Sequence, residues 1–99
     1  MKIQQGDVIL RTVASIPRGA EPRGSTVIAE GEATGHAHVA IGDGVELYEQ
    51  DGVLYVSAPN GAEVVHEEHK PVGLDPGIYS VGIVEEYDAF ERAARRVMD

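Results

Sequence analysis

All four histidines of this 99-residue chain lie in two short segments, His36-Ala37-His38 and His66-Glu67-Glu68-His69. Imidazole is the commonest transition-metal ligand and the side chain whose charge changes nearest neutral pH. The cluster therefore admits three chemistries: a metal centre, a set of hydrogen-bonded rings tying strands together, or a pH-responsive group. Cysteine is absent, which excludes disulfides, thiolate zinc sites and cysteine nucleophiles. No Gly-x-Ser-x-Gly elbow, phosphate-cradling loop or dinucleotide glycine fingerprint occurs.

Spacing decides which rings can meet. On a strand, residues two apart project to one side, so His36 and His38 can present two nitrogens to a single ion. Asp51-Gly52 is a strong hairpin signal, because a type I′ turn needs positive φ at both central positions. A two-residue turn there sets Leu47 opposite Val56, Tyr48 opposite Tyr55, Glu49 opposite Leu54 and Gln50 opposite Val53, with Leu47, Leu54 and Val56 toward the core. A second two-residue turn at Asp43-Gly44 sets Ala40 opposite Leu47 and His38 opposite Glu49, so that His36, His38 and Glu49 share the inner face. A slip of one residue sends both histidines to solvent.

His66 or His69 supplies a third nitrogen, and the two point to opposite faces while their segment stays extended. The expected ligand set is His36, His38, His66, His69 and Glu49, with Glu49 and Glu68 as candidate bases. Histidines and a carboxylate suit divalent zinc, iron, manganese or nickel. The spacing of His66 and His69 is not that of the helical zinc-protease motif, whose histidines lie four apart.

The elements that must position these residues read as strands. Runs rich in Val, Ile, Leu and Tyr cover 7–13, 26–30, 36–41, 45–50, 53–57, 62–68 and 78–87, separated by glycine, proline and asparagine turns. The 15–25 segment, with two prolines and two glycines, reads as a loop. Residues 88–98 change period: Asp88 and Glu91 form a capping box, and Phe90, Ala93, Ala94, Val97 and Met98 line one face. The expectation is one all-β domain over residues 1–99, a small antiparallel barrel or sandwich closed by that C-terminal amphipathic helix.

Composition bounds the partners. A net charge of -9 with only eight Lys and Arg argues against nucleic acid and against an anionic membrane surface. No apolar run approaches the ~20 residues of a membrane span, and the expected location is the cytoplasm. Strand edges and the terminal helix offer routes to a homo-oligomer.

Two resemblances bear on function. Gly35-His36-Ala37-His38, followed by a turn and Glu46 or Glu49, resembles the first metal motif of cupins over about a third of the chain. This resemblance implies a small barrel with a metal held by His36, His38 and Glu49; the second cupin motif is not reproduced at Asp75-Pro76-Gly77, which no histidine follows. The whole length is similar to a group of small uncharacterised bacterial and phage-borne proteins, in Gln5-Gly6-Asp7-Val8, Gly35-His36-Ala37-His38, His66-Glu67-Glu68-His69, Pro76-Gly77-Ile78-Tyr79 and Glu86-Tyr87-Asp88. That likeness implies no activity. Two functions stay open: metal-dependent chemistry on a small substrate, or a non-catalytic module that self-assembles or binds a partner, its histidines serving only to tie strands together.

Overall fold

The structure is a computed structural model that describes residues 2–30 and 35–84. Within them the chain forms strands Lys2–Gln5 (β1), Val8–Val13 (β2), Glu21–Pro22 (β3), Val27–Glu30 (β4), Ala37–Ile41 (β5), Glu46–Gln50 (β6), Val53–Ala58 (β7), Ala62–His66 (β8), His69–Leu74 (β9) and Gly77–Ile83 (β10). They make two antiparallel sheets, ordered β1-β2-β10-β7-β6-β3 and β4-β5-β8-β9. Alternation along the strands turns one side of each sheet inward. Val8, Leu10, Leu47, Val56 and Tyr79 from the first sheet meet Ile28, Ala40, Val64 and Leu74 from the second in one core cluster.

The hairpin expected at Asp51-Gly52 forms as read. Both turn residues have positive φ, 53° and 79°, and β6 pairs β7 with Leu47 opposite Val56 and Glu49 opposite Leu54. Leu47 and Val56 are buried, and Leu54 packs against them.

The closed, cupin-like barrel does not form, and the reason lies at Asp43-Gly44. β5 pairs with β4 and β8, whereas β6 pairs with β7 and β3. The turn there carries the chain from one sheet to the other instead of folding β6 back on β5. Gly42 is pressed so close to its neighbour that a Cβ would lie 2.6 Å from the Gly61 carbonyl oxygen. A turn signal specifies only that the chain reverses; which strands pair is decided by what they bury. Both sheets stay open. The closing helix expected over 88–98 lies outside the described residues, among which there is no helix.

At the β1 and β9 edges the sheets are bridged by a side chain where a barrel would have a ladder. Gln5 donates from Nε2 to the carbonyls of Val64 and Lys70, each at 2.9 Å. Pro71 sits in β9, an edge strand, where the missing N–H costs least. Among the described residues no helix is long and apolar enough to cross a membrane.

Candidate metal centre

β8 ends on His66 and β9 begins on His69, with Glu67 and Glu68 as the turn between them. The segment is therefore not extended, and the expectation that the two rings oppose each other is corrected: His66 and His69 are cross-strand partners. A bulge completes the arrangement. Val64 pairs with Val72 but His66 pairs with His69, so β9 takes three steps where β8 takes two. A regular ladder would have set Lys70 opposite His66 and turned His69 to the outer face. The extra residue, beside Pro71, brings His69 onto the face of His66 and His38, where its ring stays exposed.

His38 comes from β5, and His36 immediately precedes that strand. The ring of His66 is the hub, with centroids 4.3 Å from His38, 4.7 Å from His69 and 5.7 Å from His36; His38 and His69 are 5.9 Å apart. Two imidazoles sharing one ion, with metal–nitrogen bonds of about 2.1 Å, hold their centroids roughly 4.5–5.2 Å apart. Of the observed spacings, that of His66 and His69 falls in this range, His38 and His66 lie slightly closer, and His36 and His66 lie 0.5 Å beyond it. One nitrogen each from His36 and His66 and one oxygen of Glu67 lie within 4.8 Å of one another.

Hydrogen bonds orient the rings. His36 Nδ1 lies 2.8 Å from Glu68 Oε1, and His66 Nδ1 accepts from the Glu68 amide at 3.0 Å. His38 Nδ1 lies 2.8 Å from Gln5 Oε1, and its Nε2 is 3.8 Å from Asp7 Oδ1. His38 is 5% exposed. Burial, reinforced by the neighbouring His66, holds its pKa below 6.5, with Asp7 opposing. Glu67 is a carboxylate kept ionised: hydrogen bonding from its own backbone amide, then from Ala37 N–H at 3.3 Å, and the nearby imidazoles lower its pKa. A cavity of about 440 Å³, lined by Asp7, Glu30, His38, His66, Glu68 and His69 with Ala29 and Ile83, opens beside the cluster.

Of the residues expected at the site, His36, His38, His66 and His69 come together, and Glu68 joins them through His36. Glu49 does not. It lies on β6, opposite Leu54 and Glu21, and its carboxylate pairs with Arg23. Three contributors were not singled out as site residues from the sequence. Glu67 falls in the 62–68 run read as a strand, yet it sits in the turn. Gln5 is buried beneath His38. Gly6, at φ +60°, lets the His69 ring lie where a Cβ would be only 2.7 Å from Nε2. Their only sequence signal is position: a glutamine before a turn glycine, and a glutamate between two histidines.

Neither the curated proteins nor the solved structures contain a match to this chain. The model of one family, described as a domain of unknown function, matches residues 4–83, and the chain accordingly belongs to the DUF8820 family.

Proposed function

We propose that this domain binds one divalent transition metal through His36, His66 and Glu67. The observation that carries the reading is the convergence of two imidazole nitrogens and a carboxylate oxygen within 4.8 Å, a two-histidine, one-carboxylate donor set that leaves coordination positions open. Glu67 meets the need for an ionised ligand, since its backbone hydrogen bonds favour the charged form. Glu68 supports His36 from behind, the outer-shell pattern of a carboxylate on the far nitrogen of a ligating histidine. Binding at either nitrogen of His66 sacrifices its hydrogen bond from the Glu68 amide. That loss is about 1 kcal/mol, small beside the ~10 kcal/mol or more of a well-formed zinc site.

A bound ion supplies Lewis acidity toward a water or a small substrate. The adjoining 440 Å³ cavity has room for a small molecule, with Glu68, in its lining, as candidate base. The test is elemental analysis of protein purified without a nickel column, followed by calorimetric titration with zinc, iron(II), manganese and nickel. Near-equimolar binding, lost in His66→Ala, is expected; no retained metal and no binding heat with any of the four would end the reading.

A second reading, of structural histidines in a non-catalytic module, draws on one observation. Among the described residues no buried side-chain nitrogen or oxygen is without a hydrogen-bond partner, so the rings do not need an ion to be satisfied. It predicts that the same titrations are silent while His38→Ala still destabilises the fold.

A further inference from the structure

The amide of Gln5 makes the ring of His38 chemically asymmetric. Gln5 is 3% exposed, and its nitrogen faces two backbone carbonyls, Val64 O and Lys70 O, both at 2.9 Å. A carbonyl oxygen only accepts, so the amide cannot be flipped without setting oxygen against oxygen twice. Oε1 is thereby fixed toward His38 Nδ1, 2.8 Å away. An amide oxygen also only accepts, so Nδ1 must carry the proton of the neutral ring. The lone pair is then on Nε2, which looks away from Gln5 to the side where Asp7 Oδ1 stands at 3.8 Å, beyond hydrogen-bonding length.

We infer that Gln5 is a positioning residue that holds His38 as its Nδ1–H tautomer and so presents Nε2 as a further nitrogen ligand beside His66. This rests on the metal reading above. The nearest pair of rings in the cluster is His38 and His66, 4.3 Å between centroids; His38 stands outside the set of ligand atoms within 4.8 Å of one another, so its ring has to move toward an ion held there. A ligating histidine whose second nitrogen donates to a buried carbonyl-type oxygen is the usual outer-shell arrangement, which fixes the tautomer before an ion arrives. Gln5 spans the β1–β9 edges through the same amide. The device that bridges the sheets is thus the one that sets the ring.

Heteronuclear NMR on isotope-labelled, metal-free protein reads the tautomer directly. The expected result is a protonated Nδ1 and an unprotonated Nε2 at His38; a protonated Nε2, or an averaged pair, overturns the inference even if metal binds. Zinc titration of the same sample should move the Nε2 resonance of His38, and an Nε2 unmoved at saturation overturns the ligand role. Gln5→Met, close in length but without hydrogen-bonding atoms, should lose the single tautomer and bind zinc 10- to 100-fold more weakly at unchanged stoichiometry. Unaltered zinc affinity in a folded Gln5→Met protein counts against the inference. Should that variant fail to fold, the wild-type measurements still decide. Zinc that binds wild type without touching His38 defeats this inference alone, whereas no zinc binding at all defeats the metal reading and the ligand role while leaving the tautomer result to stand by itself.

Discussion

Of the hairpins in this molecule that turn over two residues, β6–β7 and β8–β9 are built differently. At β6–β7 the turn Asp51-Gly52 takes positive φ at both positions, the twist matches the strands, and pairing runs without a shift from Gln50 opposite Val53 to Glu46 opposite Ser57. At β8–β9 the turn Glu67-Glu68 has no positive φ, and the ladder shifts between Val64 and His66. The first hairpin is what local chemistry prefers. The second departs from it, and the departure sets His66 and His69 on one face with two carboxylates above them. Regular pairing serves the core; the irregularity serves the site.

The largest expected effect comes from the glycines beside the two hairpins. Gly6→Ala meets both a left-handed backbone and the His69 ring, at φ +60° and 2.7 Å, and should cost about 2–3 kcal/mol in denaturant unfolding. Gly52→Ala meets only the backbone cost, since nothing lies within 4 Å of its Cβ position, and should cost about 1 kcal/mol. Equal losses at the two sites would show that the His69 ring yields freely and that the imidazole corner is not tightly packed.

Acid should separate the two hairpins next. His38 has a folded pKa below its unfolded value of 6.5, so below pH 6.5 the unfolded chain binds the proton more readily than the folded one. Its contribution to stability is intact above 6.5 and is lost as pH falls from there through the folded pKa, at no more than about 1.4 kcal/mol per pH unit. The groups facing it, Gln5, Asp7, Glu67, His66 and His69, all belong to the imidazole corner. Hydrogen exchange on metal-free protein should therefore show β8–β9 opening before β6–β7 as pH is lowered. Simultaneous loss of protection in both would contradict the distinction.

The smallest effect is expected at Glu49. Its pair with Arg23 is substantially exposed, with side chains 40% and 46% accessible, so Glu49→Gln should change stability by less than about 0.5 kcal/mol. Zinc affinity should not change. A tenfold loss of zinc binding in Glu49→Gln would restore the residue to the ligand set.

Much of the site was legible in the residues themselves. The spacing of His36 and His38 puts them on one side of any strand, and the Asp51-Gly52 register followed from the φ requirement of its turn. What misled was pairing by proximity: a hairpin at Asp43-Gly44 would have brought Glu49 to His38, but β5 found its partners in β4 and β8. The extended reading of His66 to His69 failed for a related reason, because a two-residue turn without glycine or asparagine carries little local signal.

By itself the sequence determined that this chain builds from strands, that thiol chemistry is closed to it, and that its imidazoles come in two groups. Those properties follow from residue type and from the two-residue period of a strand. Only the tertiary structure decided that β8 lies between β5 and β9, that a bulge beside Pro71 sets His69 opposite His66, and that Gln5 grips His38 across the sheet edges. These depend on burial shared among strands up to 65 residues apart, a cooperative quantity that no local window of the chain contains.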